Sequence, residues 1–302
     1  SVQSNTICAA FNSAFHISPE LMGLGITLLT IVIIFGGIHR IASVSSVIVP
    51  IMALGYIVLA LFIVVCNIAK LPDVISLIVG NAFGFEQAVG GGVGAALMQG
   101  IKRGLFSNEA GMGSAPNAAA AAHVTHPAKQ GLIQALGVFT DTLVICSCTA
   151  FIILFSGAYT SAQLDGIQLT QVALNSEIGS IGGVFVAIAI LFFAYSSILG
   201  NYYYGEANIQ FITQKKWVVY VYRILVGGMV YFGSVASLKL VWNLADFTMA
   251  LMAICNLIAI ILLGKYAFRL LNDYLTQKRN GIKSPTFHKE SMKDIEEDIS
   301  CW

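Results

Sequence analysis

The sequence predicts an all-α membrane protein with about seven transmembrane helices, one of them broken. Three observations carry this. The 302 residues are 57% hydrophobic and only 10% charged, whereas a soluble domain carries about 25% charged residues. Of the 31 charged side chains, 13 fall within residues 264–302, which leaves 18 for the preceding 263 residues. Apolar runs of about 20 residues, the length that crosses a hydrocarbon core of ~30 Å as a helix, recur along the chain. These runs are continuously apolar, while a barrel strand alternates over about 10 residues, so helices are expected.

Taken in order, residues 1–20 (SVQSNTICAAFNSAF and the five after it) read as a polar extracellular loop. The first two spans are expected at 21–38 and 46–67, bounded by the polar stretches that follow each. The third run, 83–121, has 39 residues. As one helix it would reach roughly 58 Å, about twice the hydrocarbon thickness, so it must break or lie partly along the interface. Gly90, Gly91, Gly92 and Gly94 form a flexible or close-packing patch, and Gly100, Gly104, Gly111 and Gly113 flank a polar stretch. Pro116 removes a backbone donor, and Ala118 to Ala122 then favour a helix. Further spans are expected at 130–156, 182–204, 217–235 and 240–263, with a cytoplasmic tail over 264–302. Loop charges orient the chain. With the tail inside, 11 Lys and Arg residues lie on that side against Lys70 and Lys239 on the other, which places Ser1 outside.

Several function classes are excluded. A net charge of +1 gives no electrostatic case for nucleic acid. The six cysteines form no CxxC pair, and four lie in apolar runs, so neither a disulfide framework nor a zinc site is expected. The five histidines are scattered, and the GxSxG, HExxH and P-loop patterns are absent. The chain is therefore not expected to be an enzyme, it needs no cofactor, and any transport would be driven by a gradient. It opens on Ser1 without a signal-peptide pattern, so it is expected to be processed or incomplete at its start.

Ionisable groups at membrane depth cost about 2.5 to 3.5 kcal/mol each on insertion scales, which makes every one a functional candidate. They are Lys102, Arg103, Glu109, Asp141, Glu206, Arg223 and Asp246. Arg223 is close enough to Trp217 to snorkel to the cytoplasmic face, and Glu206 lies at a span border. Asp141 and Asp246 are deeper, and either pairing with Lys102 or Arg103 or a transport role suits them. The stretch FSNEAGMG (106–113) combines glycines with a hydroxyl, an amide and a carboxylate. Unwound backbone at that depth survives only inside protein or beside a wet cavity. Free carbonyls there can take an ammonium group or a cation, and the following half-helix can offer N–H groups to a carboxylate. A small zwitterion fits those two ends; a kink with satisfied side chains is the alternative. Ser196 and Ser197 either bond back to their own helix or ligate a hard cation. Tyr202, Tyr203 and Tyr204 read as an interfacial aromatic belt.

The run RGLFSNEAGMGSAPNAAAAA (Arg103 to Ala122) closely resembles the signature of the alanine or glycine:cation symporter family, sodium-coupled carriers of small neutral amino acids. Gly36 to Tyr56, Tyr195 to Glu206 and Asn243 to Leu257 resemble the same family. The resemblance implies a leucine-transporter-like fold of two inverted five-helix repeats working by alternating access, with 83–121 as the broken first helix of the second repeat. It also implies substrate contacts at Phe106, Ser107, Asn108, Glu109, Gly111 and Gly113, and sodium ligation by Ser196 and Ser197. Alanine or glycine, Na⁺ as co-substrate, and the lipid bilayer of a bacterial cytoplasmic membrane are then the expected partners. Family members are longer, so the chain is expected to be a carboxy-terminal fragment that needs a missing amino-terminal half. Ser197 stands where Thr is usual and Asn201 where Trp is common, which leaves affinity and cation preference open, whereas Cys255, where Pro is common, bears on helix shape only; proton coupling is disfavoured because no carboxylate lies beside Ser196 and Ser197 in the sequence. A non-transporting membrane subunit that pairs with another helix bundle is the alternative function.

Overall fold

The computed structural model describes residues 1–36, 38–83, 91–160 and 164–292, and every regular element among them is a helix. The helices are α1 (Val2–Phe15), α2 (Pro19–Ile34), α3 (Ile38–Cys66), α4 (Leu71–Ala82), α5 (Gly91–Asn108), α6 (Ala115–Ala120), α7 (Pro127–Thr140), α8 (Ser147–Ser156), α9 (Ile167–Ile178), α10 (Ile181–Ile212), α11 (Lys216–Val235) and α12 (Leu238–Arg279). A π-helical turn, Asp141–Cys146, joins α7 to α8. Among the described residues, five stretches are long and apolar enough to cross a membrane: Val49–Cys66, Pro127–Ser156, α10, α11 and α12. They correspond to five of the seven expected runs. Of the other two, α2 is a shorter apolar helix of 16 residues, and 83–121 is divided between α5 and α6. Gly90 and the charged end of the tail, 293–302, lie outside the described residues.

The chain divides into two compact units, Ser1–Arg103 with Thr142–Thr248, and Gly104–Asp141 with Met249–Trp302. In the first unit the 32 residues of α10, roughly 48 Å of helix, pack against α1, α2, α3, α9 and α11. Ile7, Ile26, Ile198, Leu199, Tyr202 and Val230 form one core on this helix, and Tyr56, Ile63, Ile152, Leu174 and Val186 form another. Close approach of α2 and α11 depends on Gly23, where an added Cβ would lie 2.4 Å from the Ser234 Cβ. Large apolar side chains such as Leu21 and Val65 point outward, as lipid-facing residues do.

Residues 1–20, expected as loop, fold into α1 over most of their length. Its Asn5 amide donates to the Gly233 and Ala236 carbonyls at 2.9 and 2.8 Å, while Ile7 and Cys8 enter the core. The polar residues that suggested a loop serve helix packing instead. Burial pushes the Cys8 thiol above its ordinary pKa, against a smaller opposing effect of its hydrogen bond to Ser234. Two further helices, α4 and α9, occupy stretches expected to connect spans.

In the second unit, the tail begins as helix: α12 runs through Gly264 to Arg279 and stops where Gly281 takes φ 83°. The chain then folds back. Phe287 N–H donates to the Thr125 carbonyl at 3.0 Å, Thr125 Oγ1 donates to Pro285 O at 3.0 Å, and the Gln277 side chain bonds both backbone groups of Thr286.

Candidate functional site

Helix α5 ends at Asn108 and α6 begins at Ala115, so the interruption covers residues 109–114. Phe106, Ser107 and Asn108, expected in the break, form the last helical turn before it. Glu109 takes the left-handed conformation at φ 52°, and Gly111 and Gly113 lie at φ 91° and 98°. A non-glycine residue rarely adopts positive φ, and it persists there only when its surroundings fix it. What fixes the segment is a pair of side-chain amides. Asn256 Nδ2 donates to the Gly111 carbonyl at 3.0 Å, and Asn117 Nδ2 donates to the Gly113 carbonyl at 3.1 Å. Each of these two carbonyls thus accepts one hydrogen bond from a side-chain amide, of the two that a carbonyl oxygen can take. Gly113 is needed twice over, since an added Cβ would also meet the Asn256 Cβ at 3.1 Å. Among the described residues, the Ser114 side chain, 2% exposed, has no hydrogen-bond partner for its Oγ.

Beyond the break, α6 and α7 enclose a cavity of about 780 Å³ lined by Ala115, Pro116, Ala119, His123, Gln130 and Gln134 among others. Residues 109–113 do not line it. The loop into α7 is tied down by His126, which is fully buried. Its Nδ1 accepts from Ala128 N–H at 3.1 Å, leaving Nε2 to donate to Asp273 Oδ2 at 3.0 Å.

The ionisable candidates sort themselves by partner. In the second unit Ser107 Oγ donates to Asp141 Oδ2 at 2.5 Å. In the first unit Asp246 takes both cations, Arg103 at 2.5 Å and Lys102 at 3.6 Å, and the Arg103 guanidinium stacks on Trp242 at 4.2 Å. Arg223 pairs with Glu206 at 2.8 Å and donates Nε–H to Tyr202 Oη at 3.0 Å. Tyr202 donates to Glu206. A half-buried carboxylate gains from a cation and donors beside it. Tyr202 is accordingly buried at 2% exposure, not part of an aromatic belt.

Ser196 and Ser197 both donate to the Phe193 carbonyl, at 2.8 and 3.1 Å. Each oxygen keeps acceptor capacity. They belong to the first unit and the 106–113 candidates to the second.

The sequence model of the Sodium:alanine symporter family matches residues 1–289. The chain belongs to that family. Among similar proteins, Bacillus subtilis (strain 168) has one named "Probable sodium/glutamine symporter GlnT", 55% identical over 302 residues, which are all of this chain and 63% of the relative. Another from the same organism, "Amino-acid carrier protein AlsT", is 51% identical over 97% of this chain and 63% of its own length. "Sodium/alanine symporter AgcS" of Methanococcus maripaludis is 40% identical over 87% of this chain and 58% of its own length. The chain thus spans 63% of the length of the first two relatives. As a sodium:alanine symporter family chain with several apolar spans, it is a multi-pass protein of the cell membrane.

Sequence reasoning on this family member missed Asn256, Asn117, Ser114 and His126. A signal for Asn256 was present, because it is an amide within the apolar stretch ALMAICNLIAIILL. Ranking only ionisable residues passed over it.

Proposed function

We propose that the chain works in sodium-coupled symport of small neutral amino acids, alanine and glycine first, by alternating access. Sodium serves as co-substrate, and no further cofactor is required. The reading assigns a leucine-transporter-like frame of two inverted five-helix repeats, with 83–121 as the broken first helix of one repeat. Ser1 lies outside and Trp302 inside. Phe106, Ser107, Asn108 and Glu109 contact the substrate, Gly111 and Gly113 permit the interruption, and Ser196 with Ser197 ligate sodium through the lone pairs that their bonds to Phe193 leave free. Differential binding of the two solutes then biases outward- and inward-open states.

The observation that carries this reading is a left-handed, amide-clamped interruption at Glu109–Ser114 in a chain of the sodium:alanine symporter family. A relative with glutamine in its name makes that amino acid a third substrate to test. The experiment is uptake of labelled alanine, glycine and glutamine into proteoliposomes under an inward sodium gradient. It is run with the chain alone and with the chain joined to the portion of the 55% identical relative that lies outside the match. Sodium-dependent uptake in either preparation supports the reading, and its absence from both overturns it.

A further inference from the structure

Asn256 sits on α12, one helix away from the interruption, and its Nδ2 holds the Gly111 carbonyl at 3.0 Å. Gly111 is two residues past Glu109, whose left-handed backbone has no glycine to ease it. Backbone in this conformation needs anchors from outside its own segment. Asn117 anchors the other end, from within four residues of Gly113; Asn256 is the anchor contributed by a distant part of the chain. The fit is close: an added Cβ at Gly113 would lie 3.1 Å from Asn256 Cβ and 3.3 Å from its Cγ, so a side chain there would press on the amide. On the same segment the Ser114 hydroxyl is buried without a partner among the described residues. A buried hydroxyl calls for a partner, and a ligand atom can supply it.

Resting on the symport reading, we infer that Asn256 is a positioning residue that fixes the 109–114 interruption through Gly111, and that the Ser114 hydroxyl at the end of this segment is a contact for the polar end of a small zwitterionic substrate. The amide sets the shape of the site without touching substrate. The hydroxyl contributes when substrate arrives.

Two measurements test this. The first needs no transport: backbone hydrogen exchange of the 302-residue chain in nanodiscs, comparing the parent with Asn256→Asp, which keeps the volume but loses the donor, and Asn256→Leu. Exchange across 109–114 should accelerate at least fivefold in both variants while α10 is unchanged. Unchanged exchange in the segment overturns the positioning role.

The second is labelled-alanine uptake in whichever preparation transports. Asn256→Asp and Ser114→Ala should each raise the half-saturating alanine concentration about tenfold, with the maximal rate within twofold of the parent. Ser114→Ala should also leave thermal stability unchanged or raise it, because it removes an unsatisfied hydroxyl. That combination separates a ligand contact from a structural one. A half-saturating concentration unmoved by Ser114→Ala overturns its assignment. Failure of the parent preparations to transport overturns the symport reading and, with it, the Ser114 contact, while the exchange result still decides Asn256.

Discussion

Arg103 of α5 and Asp246 of α12 meet at 2.5 Å, with Lys102 at 3.6 Å from the same carboxylate. One carboxylate thus answers two cations on helices whose other faces are largely apolar. Asp246→Asn leaves both cations without a counter-charge. Both ends of the pair are partly exposed, so the expected cost is about 2 kcal/mol, below the figure for a fully buried pair. It is read as a lower melting temperature of the detergent-solubilised chain. Lys102→Met should cost less than Arg103→Met, because Lys102 is more distant and more exposed. Equal melting of Asp246→Asn and the parent rejects a stabilising role for the cluster.

Gly111 and Gly113 both have positive φ, yet their surroundings differ. An added Cβ at Gly111 meets only the Leu105 side chain at 3.5 Å, an ordinary contact, while at Gly113 it meets Asn256 at 3.1 Å. Conformational strain of roughly 1 to 2 kcal/mol applies to alanine at either position. Gly113→Ala is therefore expected to destabilise more than Gly111→Ala, with thermal or denaturant unfolding of the two variants as the check. The reverse order would show that the Asn256 contact is loose.

How far these features were legible in the sequence follows from their physics. Long apolar runs are local facts, and α10, α11 and most of α12 lie where hydropathy puts them. The break was legible because glycines, Glu109 and Pro116 are local too, although its start was placed three residues early: Phe106, Ser107 and Asn108 carry no helix breaker and stay helical. Partner choice was not legible. That Asp246 takes both cations, Asp141 takes Ser107 and Arg223 takes Glu206 depends on which helices become neighbours. Helix α1 was hidden for the opposite reason. Its Ser and Asn residues read as solvent-loving, yet Asn5 satisfies backbone carbonyls at the end of α11.

Cys8 is 1% exposed, whereas Cys66, Cys146 and Cys255 are exposed. Its raised pKa keeps the thiol protonated at neutral pH, and only the thiolate reacts. N-ethylmaleimide at pH 7 should leave Cys8 unmodified in the folded chain and modify it after denaturation. Peptide mass mapping reads both states, and prompt labelling of Cys8 without denaturant contradicts the packing of α1 against α10.

The proposed orientation turns on loops that hold few charges each. Asp165→Cys and Lys215→Cys, made in a background without the other exposed cysteines, place single probes before α9 and before α11. Both positions are exposed. A membrane-impermeant maleimide should reach position 165 in intact cells and position 215 only after permeabilisation. Equal labelling of the two before permeabilisation reverses or removes the inferred topology.

The serine pair decides whether sodium is held by α10. Both hydroxyl hydrogens are committed to the Phe193 carbonyl, and this arrangement is compatible with cation binding because it turns lone pairs away from that carbonyl. A hard cation gathers several oxygen ligands, and a methyl group cannot replace one. Each single Ser→Ala change should therefore raise the sodium concentration for half-maximal uptake about fivefold, equivalent to roughly 1 kcal/mol for a lost ligand. At saturating sodium, the alanine dependence should stay near that of the parent. Packing alone predicts the opposite pattern: a hydroxyl that only bonds back to its own helix can be deleted with little effect on either titration. Sodium titrations of uptake by Ser196→Ala, Ser197→Ala and the double variant separate the two cases. An unchanged sodium dependence in the double variant means the pair serves helix packing and the cation is bound elsewhere.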